Sequence, residues 1–289
     1  MPVFDTPEPF SATIGLPIGT VHLIAGDRAD TVVVVNPTDG SQKLDVEAAE
    51  RTSMVLSNGR LVIKAPKARG LGSLIGTARP DSVEMTIELP AGSKVEADIG
   101  FADLRADGRL GDIRVRSGAG DIRLDAVGSA TLSTGAGTVV VDRIEGAAEV
   151  AAAGEMQIGG IGGDAEIKNL NGKTWVGEVN GRLQVKSSNG DITVDRALSE
   201  VVAKTANGSI RIGEVTAGTV TLETGSGGLD IGIPEGVAAW VDASTRFGRV
   251  HNSLGAADGP TDSQAKVEVR ARTSFGNVGI HRSYPPGVE

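Results

Sequence analysis

Glycine recurs along the middle of this chain at a near-fixed interval. Gly120, Gly137, Gly154, Gly172, Gly190, Gly208 and Gly227 are separated by 17, 17, 18, 18, 18 and 19 residues. A period of this size marks stacked supersecondary units, and it governs how every local motif is read. Two positions after each glycine stand Ile122, Val139, Met156, Thr174, Ile192, Ile210 and Leu229. Four after it stand Leu124, Val141, Ile158, Val176, Val194, Ile212 and Ile231, and seven after it Val127, Ile144, Ile161, Val179, Ala197, Val215 and Pro234. Five before it stand Val115, Leu132, Glu149, Ile167, Val185, Ala203 and Leu222, with Glu149 marking a rung that has slipped by one. Apolar and polar positions alternate within each rung, which is the periodicity of a strand.

Each rung therefore supplies two short strands and two turns, and it cannot bury its inner face alone. Stacking rungs about 4.8 Å apart does so, and pairs every strand with those above and below it. The fold this predicts is a parallel β-solenoid. Each inward Ile, Leu or Val contributes roughly 1.5–3 kcal/mol before conformational entropy is set against it. Three positions before the glycine, Ser117, Thr134, Asn169, Ser187, Thr205 and Thr224 form a small polar column expected to hydrogen-bond along the stack. In "SSNGDITV" the Asn-Gly forms the corner, Ile192 and Val194 point inward, and Asp191 and Asp195 face solvent or cap turns. A calcium-binding repeat would need a nine-residue period, and a phosphate loop would need a following helix and a Gly-Lys-Ser/Thr ending. The chain has neither pattern here.

Composition agrees with an all-β chain. Helical signals are poor, since no twelve-residue window carries an apolar stripe free of Gly or Pro. A net charge of −9 argues against a nucleic-acid binder, which needs basic surface to displace counterions. There is no cysteine, and His22, His251 and His281 are far apart, so the expectation is no cofactor, no metal and no thiol chemistry. "MPVFDTPEPF" lacks the pattern of an export signal and no long apolar run follows it, so the expectation is a cytoplasmic protein with no membrane span.

Residues 1–90 depart from the period. "SATIGL", "TVHLIAG", "DTVVVVNP" and "MVLSNGRLVIKAP" read as strands, the last as an Asn-Gly hairpin of Met54–Leu56 against Leu61–Ile63. This region is expected to be an antiparallel cap, followed by the solenoid over 91–289 with a polar loop near 252–265 and an extended tail, "YPPGVE". "TRFGRVHN" and "TSFGNVGI" repeat the glycine-strand unit at Gly248 and Gly276. The order of cap, "IELPAG", "GDI" rungs, "SSNGDITV" and closing "VRARTSFGNVGIHR" resembles a bacterial adhesin family of β-solenoid domains of unknown function, common in actinobacteria. The resemblance covers nearly the whole chain. It implies the solenoid and brings no catalytic residues with it.

Lys168, Lys186 and Lys204 lie four positions before successive glycines and should stack in one line. Such a line could bind an anionic polymer; the alternative is a solvated face relieved by Glu166 beside Lys168. Trp175 falls in an outward column, where it could stack on a sugar ring or a protein partner, or lie flat over a neighbouring rung. Trp240 is expected in core or end-cap packing. Residues 64–80 carry Lys64, Lys67, Arg69 and Arg79 without an acid, a candidate docking loop or an ordinary connection folded on the cap. The function expected is non-enzymatic: a binding or scaffold protein presenting a rigid face to an unknown protein, anionic polymer or glycan. The rivals are a solenoid that assembles end to end, and a carbohydrate-active β-helix enzyme. The second rests on fold analogy alone.

Overall fold

Alternating side chains need strands on both sides to bury them, and the chain meets that need rung by rung. The computed structural model describes residues 2–67, 80–255 and 266–283. They form two units, Met1–Arg143 and Ile144–Glu289.

The first unit runs β1 (Val3–Asp5), β2 (Ser11–Gly26), β3 (Asp30–Pro37), α1 (Lys43–Arg51), β4 (Ser53–Ser57), β5 (Arg60–Lys64) and β6 (Val83–Pro90). It continues through β7 (Lys94–Arg109), β8 (Ile113–Ala119), β9 (Ile122–Val127), β10 (Ala130–Thr134) and β11 (Val139–Ile144). Strands β2 and β7 are parallel over almost their whole length, from Ser11 opposite Lys94 to Ile24 opposite Asp107. Strand β8 stacks on the first half of β7 and β9 on the second, so one long strand serves two sides of a rung. The antiparallel pairs β1–β3, β3–β6 and β4–β5 all lie within the first ninety residues. Strand β2 does not share that pattern: its second edge is covered in parallel by β5 and then β6. The hairpin pairs Met54 with Ile63 and Leu56 with Leu61. Its turn residues Asn58 and Gly59 have φ of 51° and 70°, as a tight two-residue turn between twisted strands requires.

Helix α1 was not expected. Its nine residues, KLDVEAAER, are good helix formers, but the segment is too short for a stripe to show over twelve positions. It is held by Asp45, a buried carboxylate that accepts the backbone N–H of Ser82 at 2.9 Å and of Asp39 at 3.1 Å. Two charge-assisted bonds offset the cost of burying the group.

The second unit runs β12 (Ala148–Ala152), β13 (Met156–Ile161), β14 (Ala165–Asn171), β15 (Thr174–Val179), β16 (Leu183–Asn189), β17 (Ile192–Ala197) and β18 (Val201–Asn207). It ends with β19 (Ile210–Val215), β20 (Gly218–Ser226), β21 (Leu229–Ile233), β22 (Ala238–Phe247), β23 (Val250–Asn252), β24 (Lys266–Phe275) and β25 (Val278–Arg282). Even-numbered strands stack in parallel on one side, odd-numbered strands on another. This is the parallel β-solenoid read from the columns. The slip at Glu149 is visible in the register. Ala148 lies opposite Ala165, a step of 17, while Met156 lies opposite Thr174, a step of 18. Val150 is the buried residue in place of Glu149. At the end of the unit the order changes, because β24 lies between β20 and β22.

The inward columns form the core: Val185, Ala203 and Leu222 on one side, and Ile192, Ile210 and Leu229 on the other, are buried. Thr174, the polar member of its column, is also buried, and its Oγ1 lies 3.1 Å from Asn169 Nδ2. The small polar column works differently from the expected ladder. Thr224 donates to the Gly208 carbonyl at 2.9 Å, and Thr273 to that of Gly227 at 3.0 Å. Asn169 Nδ2 lies 2.9 Å from the Gly154 carbonyl. These side chains reach back to the corner carbonyl of the preceding rung rather than to each other. The corner leaves little room: Gly190 has φ of 130°, and a Cβ there would lie 2.0 Å from the Gly172 carbonyl oxygen. The Asp after the glycine ties rungs together. Asp191 Oδ1 accepts the Ser209 N–H, and Asp121 Oδ1 that of Thr138, each at 2.8 Å.

Candidate functional site

Parallel stacking in register turns equal offsets from a corner into a line. Lys168 lies opposite Lys186, and Lys186 opposite Lys204, on β14, β16 and β18. The lysine line read from the sequence is therefore formed, with neighbours about 4.8 Å apart. The next member of the column is Glu223, and after it Arg272. Beside the line runs a mixed column of Glu166, Gln184, Val202 and Thr221.

The three ammonium groups are not equivalent. Lys168 Nζ pairs with Glu166 at 2.8 Å, and Lys204 Nζ with Glu223 at 2.7 Å. The Glu166 contact raises the Lys168 pKa above its ordinary value, and the hydrogen bond from Lys168 lowers that of Glu166, with the Lys186 charge adding to the effect. Lys186, exposed and between them, has no ion pair among the described residues. A cation with no ion pair of its own among the described residues, set between two lysines, adds positive charge to this face of a chain of net charge −9.

A second line runs along the ends of the same three strands. Asn189 Nδ2 donates to Asn171 Oδ1 at 3.0 Å, and Asn207 Nδ2 to Asn189 Oδ1 at 2.9 Å. This exposed amide ladder follows from three Asn-Gly corners at equal offsets, "NG" at 171, 189 and 207. Each amide keeps a further N–H outside the ladder as a donor. The equal spacing of these Asn-Gly pairs is visible in the sequence, but an Asn before Gly reads there as a turn former.

Trp175 lies on β15, on the other strand set, and is not brought to the lysines. Its Nε1 donates to Asp195 Oδ2 at 3.1 Å, and its ring end lies 3.2 Å from where a Cβ on Gly177 would stand. The indole rests half-buried across the glycine of its own strand. Trp240 departs from the expected core or end-cap packing: it is 59% exposed. It points outward from β22, which pairs with β24 alone among the described strands, so no further rung covers it. Arg69 and Arg79, with most of the 64–80 segment, lie outside the described residues, as do most of the 252–265 loop and the tail from 284.

Among the described residues no cluster of three His, Cys, Asp or Glu side chains could hold a metal ion. No helix there is long and apolar enough to cross a membrane.

No curated protein matches the chain. Among solved structures, a candidate cell adhesion protein from Clostridium sporogenes is 12% identical, with 97% of this chain and 98% of that one covered and a TM-score of 0.23. A candidate adhesin from Bacteroides fragilis is 9% identical over 96% and 95%, with a TM-score of 0.33. A candidate lipid-binding protein from Parabacteroides distasonis is 12% identical over 98% and 96%, with a TM-score of 0.30. The Toastrack DUF4097 family model matches residues 19–281, nearly the full length of the repeats and of the strands that precede them. The chain belongs to the Toastrack DUF4097 family.

Proposed function

We propose that this protein is a non-enzymatic binding module whose solenoid face presents Lys168, Lys186 and Lys204 to an anionic polymer or an acidic protein surface. The observation that carries the reading is Lys186, an exposed ammonium between two lysines with no carboxylate of its own among the described residues. Like charges about 5 Å apart repel by roughly 1 kcal/mol per pair in water, so the line costs a little stability when empty. A ligand with anionic groups spaced near the rung repeat would relieve that repulsion. The Asn171–Asn189–Asn207 amides beside the line offer it neutral donors.

The test uses poly-glutamate and a sulfated polysaccharide as probes, with wild type and the Lys168→Gln, Lys186→Gln, Lys204→Gln triple variant side by side. Wild type should bind at low salt and lose affinity steeply as salt rises, because screening weakens exposed charge contacts. The triple variant should bind at least tenfold more weakly while melting at the same or a slightly higher temperature. Equal binding by both proteins at low salt removes the line from consideration.

A further inference from the structure

Among the described strands, β22 ends the even-numbered stack with an open edge. It pairs through Val241 opposite Val269 and Ala243 opposite Ala271, and its other edge has no partner among the described strands. Val269 and Ala271 are fully buried, whereas Val241, Ala243 and Thr245, which occupy the same inward columns, are half-exposed. The first unit treats its opening strand differently, covering the outer edge of β2 with β5 and β6.

Exposed strand edges are usually blunted by Pro, Lys, a bulge or short length. Strand β22 has none of these. It is ten residues long, reads AAWVDASTRF, and has no positive φ. Its outward side chains, Trp240, Asp242, Ser244 and Arg246, form a self-complementary series. Turned about a two-fold axis through Ala243, Trp240 falls opposite the partner's Arg246, and Asp242 opposite the partner's Ser244. Inside, Val241 meets the partner's Thr245. A guanidinium over an indole and a carboxylate accepting from a hydroxyl are both favourable cross-strand pairs, and the two-fold makes each of them twice. No like charges face each other. Sliding the pair by two residues one way sets Asp242 against the partner's Asp242. Sliding it the other way leaves Trp240 opposite the partner's Gly248, beyond the end of β22.

We propose that the free edge of β22 pairs antiparallel with β22 of a second copy, about a two-fold axis through Ala243. The sheet then continues from one copy into the other, and Val241, Ala243 and Thr245 are covered. Because one patch meets itself, the association closes at two copies and does not propagate.

The chain has no cysteine, which allows a direct test. Opposed residues in an antiparallel pair lie about 4.5–5.5 Å apart at Cα, within the range of roughly 4.4–6.8 Å that a disulfide bridges. Ala243→Cys should therefore lock a covalent dimer under mild oxidation. Ala238→Cys on the same strand should not, since its two copies would stand about 33 Å apart. Light scattering on the full chain at tens of micromolar should give twice the 29.5 kDa monomer mass. Val241→Lys, an inward charge at a half-exposed site, should give a monomer with unchanged circular dichroism, and Arg246→Glu should raise the dissociation constant at least tenfold. The dimer should persist at high salt, where binding by the lysine line is lost. A wild-type chain that is monomeric at 100 micromolar concentration, whether or not another segment of the chain fills the edge, overturns the proposal. So does a dimer that Val241→Lys leaves intact and Ala243→Cys fails to lock.

Discussion

At the scale of a residue, the corner of each rung is set by backbone crowding more than by turn preference. A Cβ at Gly208 would lie 2.2 Å from the Gly190 carbonyl oxygen, and at Gly190 equally close to the rung before. Gly190→Ala must both adopt a left-handed φ and push two rungs apart, so a loss of about 3 kcal/mol or more is expected in urea denaturation. Ile192, two residues on and fully buried, gives an independent reading of the same rung. Ile192→Asp places an unpaired charge in the core and should cost about 3–5 kcal/mol. A barely changed midpoint for Ile192→Asp would mean that the register assigned here is wrong. Both residues were legible in the repeat because glycine and β-branched columns have one structural meaning each. Asp191 was legible only in part: its position suggested a cap, but that it caps the next rung, at Ser209, depends on the stacking distance.

At the scale of an element, columns tell more than strands taken singly. The lysine line, the inward rows and the slip at Glu149 all followed from counting forward or back from glycine. Helix α1 did not, because nine residues fixed by a buried Asp45 leave no periodic trace. The exposure of Trp240 was not legible either, since an apolar residue near the end of a repeat looks the same whether or not another strand follows. The small polar column gives a prediction that comparison of its members supplies. Ser187 Oγ is buried without a hydrogen-bond partner, as is Ser117 Oγ, while Thr224 and Thr273 in the same column reach corner carbonyls. Threonine also suits a strand better than serine. Ser187→Thr should aim its hydroxyl at the Gly172 carbonyl and raise stability by about 0.5–1 kcal/mol. The urea midpoint measures this, and a lower midpoint would show that the column members are not interchangeable.

At the scale of the molecule, net charge and cysteine content set which chemistries were expected but said nothing of how the faces of the solenoid are arranged. That arrangement comes from the register, which brings the three lysines together and leaves Trp175 on another strand set. The insertion of β24 between β20 and β22 was invisible for a related reason: a strand's sequence carries its inward and outward faces, not its place in the stack. That insertion has a consequence in time. Within the second unit, rungs from β12 to β20 can be laid down in the order in which the ribosome delivers them, each on the one before. The edge of β20 then waits for a partner 49 residues later, Val267 for Gly218, while β22 emerges first with a matching alternation of side chains. A growing chain can seat β22 on β20 before β24 exists, and a chain that does so has to give up that pairing to reach the final order. Refolding of the full chain should accordingly show a slow last phase in Trp240 fluorescence, read in a Trp175→Phe background, that is absent from the fluorescence of a Trp placed at Val202 on β18. The completed stack places a later strand between two earlier ones, so a chain made from its N-terminus has such an exchange open to it at this one step.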